Sequence, residues 1–73
     1  MFTVYTKDNC PFCDQAKALL TAKGIPFAAL KLGEDITREE LLAKVPTART
    51  MPQIFKDDTP IGGYQELRKM LLN

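Results

Sequence analysis

The chain contains no histidine and no tryptophan, and only two cysteines among its 73 residues. Without histidine, the usual base for a protease-type cysteine nucleophile is missing. A structural zinc site needs about four ligands of the Cys and His kind. Two cysteines supply half of one, and Asp8 and Asp14 are poor substitutes for the remainder. A disulfide framework of the secreted type uses more cysteines at wider spacing. Charge of one sign is not in excess either: 10 basic and 9 acidic residues leave a formal charge of +1. A nucleic-acid surface would need a clear basic surplus. No apolar run approaches the roughly 20 residues of a membrane span, and Met1-Phe2-Thr3-Val4-Tyr5 lacks the basic and apolar regions of a signal peptide. A cytoplasmic protein with no nucleic-acid and no membrane partner is therefore expected.

What remains is an ordinary globular composition, 45% hydrophobic and 26% charged. Its length suits one domain, residues 1–73, with no internal repeat, linker or low-complexity segment. Phe2 to Thr6 alternates apolar and polar residues and predicts a strand. Cys10 to Lys23 predicts a helix with Pro11 at its first position, stopped by Gly24 and Pro26. Phe27 to Leu32 is a second strand despite two alanines. Thr37 and Glu40 form a capping-box pattern, with Ile36 placed to staple onto Leu41, and Val45 before Pro46 ends that helix. Gln53 to Lys56 and Thr59 to Ile61 are short strands of a hairpin turning at Asp57-Asp58. Tyr64, Leu67 and Leu71 recur at helical spacing and predict a last helix running to the C-terminus. The order β-α-β-α-β-β-α predicts an α/β fold: a right-handed parallel crossover, then an antiparallel hairpin, in a mixed four-stranded sheet flanked by three helices.

The chemistry centres on Cys10-Pro11-Phe12-Cys13. With Pro11 first in the helix, Cys10 is the N-cap, and its sulfur faces free N–H groups at the positive end of the helix dipole. That setting favours thiolate over thiol, and Lys7 is placed to add positive charge. Cys13 shares an apolar stripe with Ala16 and Leu20 and should face inward. An exposed attacking sulfur at Cys10 and a shielded partner at Cys13 can pass through a mixed disulfide and resolve it. Half of a zinc site, or a buried pair without chemistry, are the competing readings of the two cysteines alone.

At this point the chain resembles the glutaredoxins, within the thioredoxin-like superfamily, over nearly its whole length. Three features carry the resemblance in order: Tyr5-Thr6-Lys7 leading into Cys10-Pro11-Phe12-Cys13, then Ala48-Arg49-Thr50-Met51-Pro52-Gln53-Ile54-Phe55, then Ile61-Gly62-Gly63-Tyr64. The resemblance implies a thioredoxin-like fold and a glutathione-dependent thiol–disulfide oxidoreductase. Cys10 would be the nucleophile, Cys13 the resolving cysteine, and Pro52 cis, presenting the Met51 backbone to an extended substrate. Glutathione would be the reducing co-substrate, with no metal. Its glycine carboxylate would lie near Lys7 and Arg49. Its γ-glutamyl end would lie at the start of the last helix, by Gly63, Tyr64, Gln65 and Glu66, with Phe12 also at the site. Glu66 stands where the family commonly carries Asp, and Gln65 where it carries Thr, Ser or Asp. A monomer is implied, acting on disulfide-containing clients such as ribonucleotide reductase. Two other readings use the same scaffold. One is a redoxin reduced by thioredoxin reductase, which typically has Trp-Ser-Gly-Phe where this chain has Ile61 to Tyr64. The other is an iron–sulfur carrier formed by two chains, which often has a single active-site cysteine. Lys31, Arg38, Glu39 and Lys44 read as ordinary surface.

Overall fold

The computed structural model describes residues 1–72. Seven elements follow in the expected order: β1 (Phe2–Thr6), α1 (Pro11–Ala22), β2 (Phe27–Lys31), α2 (Arg38–Lys44), β3 (Gln53–Lys56), β4 (Thr59–Gly62) and α3 (Tyr64–Leu72). The last position of the predicted final helix, Asn73, lies outside the described residues. The sheet order is β2-β1-β3-β4. β1 runs parallel to β2, with Phe2 opposite Phe27, and antiparallel to β3, with Val4 opposite Ile54. β3 and β4 form the antiparallel hairpin, and their register slips by one residue between Ile54 and Phe55. Pro60 has no N–H to give a ladder, and it is tolerated because β4 is an edge strand.

Strand alternation decides which side chain meets which helix. Phe2, Val4 and Ile54 point to one face, where they pack with Ala16 and Leu20 of α1 and Leu67 of α3. Tyr5 and Phe55 point to the other, where Ile36 and Leu41 join them. The Tyr5 and Phe55 rings meet edge to face, with centroids 5.4 Å apart and planes at 82°. Two helices thus cover one face of the sheet and the short α2 covers the other.

Helix α1 begins and ends for local reasons. Cys10 caps it, Pro11 occupies the first position, and Lys23 closes it. Gly24 then takes φ +68°, a left-handed conformation that costs a glycine little. Helix α2 has only seven residues and depends on its cap. Both halves of the capping box form: the Glu40 N–H donates to Thr37 Oγ1 at 3.1 Å, and the Thr37 N–H donates to Glu40 Oε1 at 3.1 Å. Thr37→Ala is expected to lower stability by about 1 kcal/mol in urea denaturation. An unchanged midpoint would mean that burial of Leu41 alone holds the helix.

The same box carries a pH dependence. Hydrogen bonding from the Thr37 backbone N–H, then from its side chain, holds the Glu40 carboxyl below the usual Glu range. The unfolded chain binds that proton more readily, so the contribution is complete above the ordinary Glu range. It is lost as pH falls through the lowered value. Glu40→Gln should therefore flatten the acid limb of the stability profile, and an unaltered limb would contradict this.

Candidate functional site

The site is built where the loop after β1 delivers Cys10 to the first turn of α1. Asn9 turns the chain with φ +54°. Cys10 has extended geometry as the N-cap, and the Cys13 N–H donates to Cys10 Sγ at 3.2 Å. The two cysteines are joined as a disulfide, with Cα atoms 5.2 Å apart. Cys13 is fully buried beside Ala16 and Leu20, as the apolar stripe predicts.

Cys10 departs from expectation. The sequence predicts an exposed sulfur, but Cys10 is only 6% exposed. Two neighbours close over it: the bonded Cys13 sulfur, and the Met51 carbonyl oxygen, which lies 3.6 Å from Cys10 Sγ. In the disulfide this sulfur has no proton to donate, so the approach is a contact. Once reduced, the thiol can hydrogen-bond that carbonyl. The helix N-terminus and the Cys13 N–H are arranged to stabilise a thiolate at Cys10.

The segment opposite is set by the Met51–Pro52 peptide bond, which is cis. Pro52 is buried, and Gln53 Nε2 donates to the Thr50 carbonyl at 2.7 Å, tying the segment together. Gly63 approaches closely here: a Cβ on it would lie 3.4 Å from the Pro52 carbonyl oxygen. Gly62 has φ +115°, and a Cβ there would lie 2.8 Å from Glu66 Cγ. The longer Glu side chain is thus accommodated by folding back over a glycine.

Two open grooves meet along Ala48, Thr50 and Met51, and the Met51 carbonyl is the one that contacts Cys10 Sγ. The first, about 620 Å³, is bordered by Phe12, Pro52, Gly63, Tyr64, Gln65 and Glu66. Glu66 is its one charged residue, and the half-exposed Phe12 ring stacks on Tyr64 with centroids 5.9 Å apart. The second, about 400 Å³, holds Lys7 and Arg49. The proposed residues therefore divide between two adjoining grooves of opposite charge, with Met51 common to both. Arg38 also borders the second groove, although it reads as ordinary surface in the sequence. No linear spacing relates it to Lys7 or Arg49. Only the packing of α2 against the segment before Pro52 brings the three together. Among the described residues no group of three or more His, Cys, Asp or Glu side chains could hold a metal ion. None of the described helices is long and apolar enough to cross a membrane.

A family model described as glutaredoxin matches residues 2–61. Glutaredoxin 3 of Escherichia coli (strain K12) is 42% identical over 64 residues, which cover 88% of this chain and 77% of that protein. A wheat glutaredoxin crystal structure aligns with TM-score 0.83 at 32% identity, over 99% of this chain and 71% of the other. A buckwheat glutaredoxin–glutathione complex aligns with TM-score 0.79 over 93% of this chain and 64% of the other, a likeness of fold at 24% identity. The mixed sheet with three helices is the thioredoxin-like α/β fold. A paired Cys10 and Cys13 at a helix N-terminus, in a chain matched by the family model from β1 into β4, makes it a member of the glutaredoxin family and a thiol–disulfide oxidoreductase.

Proposed function

We propose that this chain, as a single domain and a monomer in the cytoplasm, reduces protein disulfides and glutathione mixed disulfides with glutathione as its reductant. The observation that carries the reading is the Cys10–Cys13 pair at the start of α1, in contact with Met51, the residue shared by a groove lined by cations and a groove with one carboxylate.

The chemistry follows from the asymmetry of the two sulfurs. The Cys10 thiolate attacks one sulfur of a client disulfide, and the other leaves as a thiolate and takes a proton. Cys13 then loses its proton and attacks Cys10 Sγ, expelling the second client thiol. The protein is left with the disulfide present here, and the client has gained two electrons and two protons. Glutathione thiolate reverses this by attacking Cys10 Sγ and freeing Cys13. A second glutathione attacks the glutathione sulfur of that mixed disulfide, releasing oxidised glutathione and the Cys10 thiolate.

Glutathione carries charges that suit the two grooves. Its glycine carboxylate would pair with Lys7 and Arg49, and its γ-glutamyl carboxylate with N–H groups at Tyr64 and Gln65. Its ammonium would meet Glu66. Gly63 permits close approach of the backbone, Phe12 and Tyr64 wall the groove, and Met51 beside Pro52 offers an extended edge for main-chain hydrogen bonds. Ribonucleotide reductase is among the clients that the family suggests.

The test is reduction of a small glutathione mixed disulfide, coupled to glutathione reductase and NADPH. Cys13→Ser should retain this activity, which needs one thiol, and lose reduction of a dithiol client, which needs Cys13 as resolver. Wild-type protein inactive with glutathione but reduced by thioredoxin reductase would overturn glutathione as the electron source.

A further inference from the structure

Lys31 reads as ordinary surface in the sequence, yet its side chain is only 33% exposed and its ammonium is shared by two carboxylates. Asp8 Oδ1 lies 2.8 Å from Lys31 Nζ, and Glu34 Oε1 lies 3.2 Å from it. The residue closes β2 opposite Thr6, the last residue of β1. Its backbone is held at both ends. The Lys31 N–H donates to Asp35 Oδ2 at 2.9 Å, and the Lys31 carbonyl accepts the N–H groups of Glu34 and Asp35 at 3.1 and 2.8 Å. The Leu32 N–H then donates to the Thr6 carbonyl at 2.8 Å, locking this end of β2 to β1. The ammonium therefore starts from a rigid base. Asp8, then Glu34, hold it charged beyond the usual Lys range.

Of the two carboxylates, Asp8 is the one beside the chemistry. It stands in the loop Lys7–Asn9, which joins β1 to Cys10. Among the described residues, its pair with Lys31 is the one polar tie from that loop to another segment. With consecutive Cα atoms about 3.8 Å apart, the Cα atoms of Asp8 and Cys10 are at most about 7.6 Å apart. A carboxylate at that range, inside a Debye length of about 10 Å, opposes a thiolate at Cys10. We infer that Lys31 is a positioning residue for Cys10: through Asp8 it holds the loop that delivers this sulfur and cancels a negative charge that would work against its thiolate. The inference rests on Cys10 being the nucleophile. The other charged groups on the elements that meet at Cys10 are Lys7 on its loop, Asp14 and Lys17 on α1, Arg49 before Pro52 and Glu66 on α3. Asp14 already has a cation of its own, with Lys17 Nζ 3.6 Å from its Oδ1. Asp8 has Lys31.

The test is the pH profile of iodoacetamide alkylation of the reduced protein, with the label assigned to its cysteine by digestion and mass spectrometry. Lys31→Met leaves Asp8 charged and unpaired. At low salt the midpoint for Cys10 should rise by roughly 0.3–0.6 of a pH unit, which slows labelling below the midpoint about two- to fourfold. Asp8 is largely exposed, so added salt should shrink the shift. Lys31→Arg keeps the charge and should keep the wild-type midpoint. In an Asp8→Asn background, Lys31→Met should no longer move the midpoint, because the charge it uncovers is gone. The melting temperature of Lys31→Met should change little, since partly exposed ion pairs contribute little to stability. A Cys10 midpoint unmoved by Lys31→Met would overturn this inference alone. So would a shift that persists in the Asp8→Asn background, since Lys31 would then not act through Asp8. Label arriving on Cys13 instead would overturn the reading of Cys10 as nucleophile, and this inference with it.

Discussion

Cys10→Ser is expected to abolish both activities, reduction of dithiol clients and reduction of glutathione mixed disulfides, leaving only the background rate of free glutathione. The reaction requires a sulfur that exists as thiolate at neutral pH and can form a disulfide with its target. A serine hydroxyl meets neither requirement. Cys13 cannot take over, because it is fully buried one turn into α1, behind Cys10. The loss should not come from unfolding. Serine is among the preferred N-cap residues, and its oxygen can accept the Cys13 N–H that Cys10 Sγ accepts. A thermal melt resembling that of reduced wild type, together with absent activity, is the expected combination. Residual activity well above background would transfer the nucleophile's role to Cys13.

Leu20→Ala is expected to have the largest effect on stability. Leu20 is fully buried on α1 and packs in the cluster containing Val4, Ile54 and Leu67, where α1 and α3 meet one face of the sheet. Truncating a buried leucine to alanine costs about 2–5 kcal/mol through lost transfer energy and the cavity left behind. A domain of this length has about 4–11 kcal/mol in total, at roughly 0.05–0.15 kcal/mol per residue. One substitution thus removes a large share, and the urea midpoint should fall by about a fifth at the least and by about half at mid-range values. The effect should also reach the chemistry, since Leu20 continues the stripe that carries Cys13 and Ala16. A loss below about 1 kcal/mol would mean that α1 collapses freely into the gap, contrary to a close-packed core.

Much of the fold could be read from local signals. Pro11 and Gly24 bracket α1, and Thr37 with Glu40 marks the start of α2, because backbone restriction and capping act within a few residues of chain. The inward face of Cys13 followed from helical periodicity. Other features depend on contacts between distant segments. The covering of Cys10 by Met51 joins positions 41 apart, and nothing near Cys10 in the chain announces it. The cis bond before Pro52 came only with the resemblance, since the Met51-Pro52 pair looks the same in either isomer. Arg38 looked like helix surface, and it is exposed; what gives it a neighbourhood is the approach of Lys7 and Arg49 from other elements. The fold of Glu66 over Gly62 is local in sequence, but it depends on the left-handed turn at Gly62.

The division of labour between the two sulfurs is tested most directly by mapping alkylation. The reduced protein is exposed briefly to limiting iodoacetamide at mildly acidic pH, where ordinary thiols react slowly, and digested to find which cysteine carries the label. Label confined to Cys10 is the result expected of a thiolate held at the N-terminus of α1, with Cys13 shielded behind it. Label on Cys13, or equal label on both, would contradict the assignment of Cys10 as nucleophile and Cys13 as resolver.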